Sequence, residues 1–397
     1  MAVTVTTGQR TSFQDRTSVK DNIDDKLDFL TPQDTPFLSY LGFMKDAGGA
    51  KSGANSLKFQ CTQTRHTWFN DDLIPSVSLV ATAYTSGGLS LVVTSGEGDH
   101  FDADDIIMIN DMYASVTSIS TDTLTIVELE STGANLAVGD TIYILGNARK
   151  EGEAASAITA RTTDFGSTEN FTQIFMAKVD LSGTEQSSER WAMEGDPYEY
   201  QLDKRFKELA IQMERAAIYN IRNGSYPSAN TTKRRMGGLA YYVRDGSGAN
   251  VTSAGSADLD EIMLNDLLED IWEDGGQPDT IFVNMRQKRM LDSFLTPMVR
   301  VDRTESIYGV LVGQYQSNLG TLDVVLNRYV KPSDLIVVQR EYLGFGPLNG
   351  NGKSRAFFHE ALPKDGDYDR GQIIGEYTME VRNATKAHGW LENLSTS

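Results

Sequence analysis

The chain has a single cysteine, Cys61, and the nearest histidine, His66, lies five residues further on. A thiol beside an imidazole can become a nucleophile, because the imidazole takes the thiol proton. On one strand, however, residues five apart point to opposite faces. The segment 56–66 alternates in polarity and lacks Gly and Pro, so a half-exposed strand is expected, with Cys61 as a buried or interface thiol. A second candidate is Gly346-Pro347-Leu348-Asn349-Gly350-Asn351-Gly352-Lys353-Ser354, which ends like a phosphate-cradling loop. The first Gly of that motif would fall at position 347, which is Pro, and the next residues, Ala356-Phe357-Phe358, read as strand where a helix is required. Asp99, Asp102, Asp104 and Asp105 could offer oxygen to calcium, but the run lacks the Gly and Glu of an EF-hand loop and reads as a solvated loop edge. His66, His100, His359 and His388 are scattered with no zinc-ligand spacing, and one cysteine allows neither an intrachain disulfide nor a thiolate cluster. No Gly-x-Ser-x-Gly elbow occurs. The expectation is a protein that is not an enzyme, with no catalytic residue, no cofactor and no metal.

Charge narrows the partners. Lys and Arg number 36 against 55 Asp and Glu, a net charge of −19. A general nucleic-acid binder needs a basic surface to release phosphate counterions, and an anionic-membrane binder needs the same. The one basic cluster, Lys233-Arg234-Arg235, suits ion pairs with a neighbouring protein's carboxylates. Trp68-Phe69 and Trp191 are aromatic and flank polar, extended segments, as interface anchors do. The N-terminal residues show neither a basic segment nor an apolar core of a signal peptide, and no apolar run approaches the ~20 residues of a membrane span. A soluble protein made in a reducing cytoplasm is expected.

The elements that would position these residues follow from periodicity. Residues 1 to about 50 form a polar arm with a short apolar face at Phe37, Leu38 and Leu41, broken by Pro32 and Pro36. Strands are expected over 56–66 and 171–184, which could pair as a long hairpin. Between them, from about 77 to 150, Thr, Ser, Val, Ile, Gly and Asp dominate. Short strands at 89–93, 106–109, 114–119, 123–127 and 141–145 alternate with turn residues and suggest an inserted all-β domain. Leu202, Phe206, Leu209, Met213 and Ala217 trace the apolar stripe of a long helix over 197–222, with Asp203, Lys204, Lys207, Glu208 and Glu214 away from it. Asp258 starts a second helix, whose apolar face is read as Ile262, Met263, Leu267, Ile271 and Trp272. Strands then mix with helix from Thr280 onward without regular alternation, which points to an α+β fold.

In this order, several segments resemble tailed-bacteriophage major capsid proteins of the Hong Kong 97 (HK97-like) fold, in the branch with a β-domain inserted in the extended loop. The segments are Asp34-Thr35-Pro36-Phe37-Leu38-Ser39, then Gly139-Asp140-Thr141-Ile142-Tyr143-Ile144-Leu145-Gly146-Asn147-Ala148 with Glu151-Gly152, the helix ending Glu214-Arg215-Ala216-Ala217, Pro278-Asp279-Thr280-Ile281-Phe282-Val283-Asn284, and Gln316-Ser317-Asn318-Leu319-Gly320. The resemblance implies an N-terminal arm (1–50) and an extended β-hairpin loop (51–76 and 151–190) bearing the β insert (77–150). It further implies a peripheral domain (191–254 and 346–397) with its spine helix at 197–222, and an axial domain (255–345). It implies a virion protein, made in the host bacterium, that assembles with itself into hexamers and pentamers of an icosahedral shell around double-stranded DNA. Portal, scaffolding or decoration proteins would be partners, and no membrane. Trp68, Phe69, Lys233, Arg234 and Arg235 are the expected subunit-interface residues, and Arg10, Arg16, Lys20, Lys204 and Lys207 the expected weak contacts to DNA. Three other readings stay open on sequence alone: a surface-layer or adhesin protein, a phage tail-tube protein, and a carbohydrate-active enzyme with a β accessory domain.

Overall fold

A computed structural model describes residues 34–41, 61–130, 135–152, 161–188, 195–223, 233–246, 250–294, 305–307, 310–317 and 319–396. Its first element is α1 (Pro36–Tyr40), in which Pro36 supplies a φ already suited to a first helical turn. β1 (Arg65–Asn70) follows. The next six strands are β2 (Val77–Leu79), β3 (Ser90–Val92), β4 (Asp105–Ile109), β5 (Met112–Ser120), β6 (Thr123–Glu130) and β7 (Thr141–Asn147). They make one sheet in the order β2–β7–β4–β5–β6–β3. Period-two alternation turns Ile107, Ile109, Ala114, Val116, Leu124, Ile126 and Ile142 inward onto Leu91, Phe101 and Leu136, a core made entirely within this segment. The tight β4–β5 and β5–β6 turns place Asn110 and Thr121 at positive φ, 53° and 54°.

These strands belong to a compact unit that runs from Phe69 to Ser167, wider on both sides than the span 77–150 read from composition. The extra residues pack: Arg161 donates to the His100 carbonyl at 2.6 Å.

The second unit contains Met1–Trp68 and Thr168–Ser397. β8 (Gly166–Phe171) pairs with β1. β9 (Gln173–Ser182) leads to α2 (Gly183–Ser187), α3 (Pro197–Tyr219), α4 (Leu239–Val243), β10 (Val251–Ser253), α5 (Glu261–Glu273), β11 (Thr280–Val283), α6 (Met285–Phe294), β12 (Glu305–Ile307), β13 (Val310–Ser317), β14 (Gly320–Leu326) and β15 (Leu335–Val338). The chain closes with β16 (Leu343–Pro347), β17 (Asn349–Gly350), β18 (Lys353–Ser354), β19 (Phe358–Leu362), β20 (Tyr368–Val381) and β21 (Gly389–Glu392). One sheet has the order β10–β21–β15–β11–β14–β13–β12, and a second joins β16, β20 and β19 with β9.

Four expectations change here. Strand 171–184 is present as β9, but its partner is β20, with Gln173 opposite Tyr377 and Ser182 opposite Tyr368. Residues 56–60 lie outside the described residues. The final strand, β21, inserts between β10 and β15, so the last residues share a sheet with β11–β15 of the 255–345 segment. Asp260, not Asp258, caps α5, its Oδ1 accepting from the Glu261 N–H at 2.7 Å. Leu267 and Ile271 are buried as expected, but Ile262 and Trp272 are exposed, and Leu264 and Leu268 complete the buried face of α5 in their place.

Candidate assembly surfaces

Asp196 caps α3 by accepting from the Tyr198 N–H at 2.8 Å, and Pro197 opens it. The C-terminal half of the expected stripe (Leu209, Met213, Ala217) is buried as read. Glu214, read as a solvent-facing charge, is fully buried, because this half of α3 is covered on a wider arc that also includes Ala210 and Ile218. Its Oε1 accepts from the Phe37 N–H at 2.7 Å and from Asn327 Nδ2 at 2.7 Å; its Oε2 accepts from the Leu38 N–H at 2.9 Å. The carboxyl therefore fastens the start of α1 to the body. Burial pushes it up to about 7, against the pull of these three donors. Phe37 and Tyr40 complete the anchor by packing edge-on against Phe282, at ring separations of 5.0 and 5.9 Å. The Tyr40 hydroxyl donates to Asp323 at 2.7 Å.

The N-terminal half of the same stripe is only partly covered: Leu202 packs against the core, and the Phe206 ring meets Phe357 edge-on at 5.5 Å. Leu202 and Phe206 form one wall of a groove of about 330 Å³ whose other wall is Phe357, Phe358 and Ile373. Glu199, Asp203 and His359 stand on its rim, and the His359 ring lies 3.0 Å from the Tyr198 hydroxyl. In the smaller unit, Phe69, Leu73 and Phe165 are exposed in the segments that enter and leave its sheet. Large apolar side chains left exposed on a folded chain are candidates for contact with another molecule.

Of the expected interface residues, Phe69, Lys233 and Arg235 are exposed. Trp68 faces inward, with its ring 5.6 Å from that of Tyr242, because β1 turns alternate residues to the core. Arg234 is occupied within its own chain: with Thr172 and Arg355 it surrounds the buried carboxylate of Glu376 at 3.0, 2.6 and 2.9 Å. Arg235 exchanges backbone hydrogen bonds with Asn223. Trp191, Arg10, Arg16 and Lys20 lie outside the described residues; Lys207 pairs with Asp203 at 2.6 Å one turn away.

The chemical candidates resolve differently. Cys61 and His66 do meet: residue 61 makes an isolated bridge to Leu348, and a bend separates it from β1, so strand alternation does not apply across the pair. His66 Nε2 also lies 3.2 Å from the buried Glu380. Burial draws the imidazole down, but its contacts with Cys61 and Glu380 outweigh that and push it up to about 9. This has the order of a thiol–imidazole–carboxylate relay, yet Cys61 is buried and donates to the Gln63 carbonyl at 2.7 Å, so the group acts as a clasp. The acidic run is closed by arginines, with Arg149 bonded to Asp102 and Asp104 at 3.0 and 3.2 Å. The glycine-rich loop folds as the small β17–β18 hairpin. Among the described residues no group of His, Cys, Asp or Glu could hold a metal ion, and no helix is long and apolar enough to cross a membrane. The smaller unit carries 15 acidic residues against 3 Lys or Arg, and so −12 of the chain's −19.

The model of the family described as SU10 major capsid protein matches residues 5–395. Among solved structures, the cyanophage A-1(L) capsid asymmetric unit aligns with a TM-score of 0.53 at 10% identity, covering 98% of this chain and 100% of that one, and the two share a fold. Microbacterium phage Oxtober96 aligns at a TM-score of 0.49 and 11% identity over 97% and 99% of the two chains. The capsid of the native GTA particle aligns at 0.49 and 7% identity over 98% and 100%. No curated protein matches the chain in sequence.

Proposed function

The chain belongs to the SU10 major capsid protein family, and from that premise we propose that it closes into an icosahedral shell of hexamers and pentamers around double-stranded DNA. It is a structural protein of the virion capsid, it assembles with itself, and its α+β fold is of the Hong Kong 97 type. One observation carries the proposed contact. The same chain exposes an apolar stem (Phe69, Leu73, Phe165) and lines an apolar groove with Leu202, Phe206, Phe357, Phe358 and Ile373, of which Phe206 and Phe358 are the exposed members. A stem seated in the groove of the next subunit is a head-to-tail contact, which closes into rings when its rotation divides the circle.

In this reading α3 is the spine of a peripheral domain, the sheet around β11 belongs to an axial domain, and Phe69–Ser167 stands on the outer surface. The −12 charge of that unit supports an outward position, since it would repel packaged DNA. DNA contact is weak and non-specific, and portal, scaffolding or decoration proteins are further partners. The test is to concentrate the purified chain and image it by negative stain together with a Phe206→Ser variant. Closed shells or ring-shaped capsomers from the wild type, and their loss in the variant, are expected. A wild type that stays monomeric at high concentration overturns the proposal.

A further inference from the structure

α1 has no side-chain cap of its own, since Thr35 makes no such bond. The two N–H groups that a cap would satisfy point instead at Glu214, which comes from a residue 176 to 177 positions away. We propose that Glu214 is the positioning residue that fixes where the N-terminal arm leaves the body, and that docking of the arm there takes up a proton.

The surroundings carry the argument. Around the docked carboxyl the donors are neutral: two backbone N–H groups and the Asn327 amide. The titratable groups that act on it are Asp34, immediately before α1, and Tyr329, and the cations around Tyr329 are Arg215 and Arg328. Asp34 repels a negative charge at Glu214. Both nearby cations are engaged elsewhere: Arg328 pairs with Asp34 at 3.4 Å, and the Arg215 guanidinium lies 5.0 Å above the Tyr329 ring. A carboxylate buried without a cation is expensive to ionise. When the arm lifts away, water reaches the group and its affinity for protons falls back towards the ordinary value of 4.5. The docked carboxyl, at about 7, holds its proton more tightly than the undocked one. Docking is therefore strongest below pH ~4.5 and weakens as pH rises towards ~7. Between pH 5.5 and 8 the docking constant falls on the order of 25-fold.

Backbone hydrogen exchange of Thr35–Leu41, corrected for intrinsic rates, reads this in the full chain. Protection in the wild type should drop on the order of 25-fold from pH 5.5 to 8. In Glu214→Gln, which cannot ionise, it should not change with pH. Asp34→Asn, at the exposed start of the anchor, leaves the buried site intact. It should shift the drop to lower pH, because it removes the repelling carboxylate and frees Arg328. Wild-type protection that is flat or rises with pH overturns the inference, as does an unshifted drop in Asp34→Asn. If Glu214 were merely structural, Glu214→Gln would lower protection relative to the wild type by the same factor at both pH values, which would also overturn the inference.

Discussion

Removing the apolar stem should abolish assembly without unfolding the subunit. Phe69, Leu73 and Phe165 are 65%, 92% and 70% exposed in the single chain, so replacing all three with serine should alter its own stability by no more than about 0.5 kcal/mol each. Complete burial of such side chains is worth about 1.5–3 kcal/mol apiece. Scaled by the exposures and summed, the triple variant loses roughly 3–7 kcal/mol per subunit contact. Each 1.4 kcal/mol is a factor of ten, so the concentration needed for assembly should rise by about 10² to 10⁵. Thermal unfolding would check that the subunit is intact, and sedimentation velocity over a concentration series would follow assembly. A folded triple variant that assembles at the wild-type concentration would refute the reasoning, because the stem would then stay in water in the shell.

Three further outcomes are expected. Replacing Phe69–Ser167 with a short turn should leave a chain that still unfolds cooperatively, since the excised core is self-contained; a chain that no longer folds, by circular dichroism, would show a shared core. His388 is fully buried, with Nδ1 accepting from the Gln339 N–H at 3.3 Å and Nε2 donating to the Arg382 carbonyl at 3.2 Å, and burial lowers it to about 4. Its folded value lies below its ordinary 6.5, so its contribution is full above pH 6.5 and is lost as pH falls towards 4; the urea midpoint should drop over that window, and by less in His388→Gln. Isolated subunits should show no tight binding to duplex DNA at physiological salt in a mobility-shift assay, and a nanomolar complex would contradict the charge argument.

Local features of the fold were readable in the residues. Pro197 after Asp196, with apolar residues at 209, 213 and 217, specifies a helix start and one face of α3, and the unbroken Thr280–Val283 run specifies a buried strand. The short strands of the insert follow from alternation and turn residues alone. Long-range relations were not readable. β9 pairs with β20 because the chain returns almost two hundred residues later, and nothing within either strand names the other. Glu214 resembles any exposed helix carboxylate until the amides of Phe37 and Leu38 arrive. The same holds for Arg234, whose partner Glu376 is 142 residues away. The groove has a signal in the sequence: Leu202 and Phe206 extend the apolar stripe of α3 beyond the part of the helix that is fully buried.

In the proposed shell, each subunit's stem occupies the next subunit's groove. A cryo-EM reconstruction of assembled particles measures this directly. It should show rings of six and five copies in which Phe69, Leu73 and Phe165 of one copy contact Leu202, Phe206 and Phe357 of its neighbour. Particles whose grooves face open solvent, or tubes in place of closed shells, would contradict it.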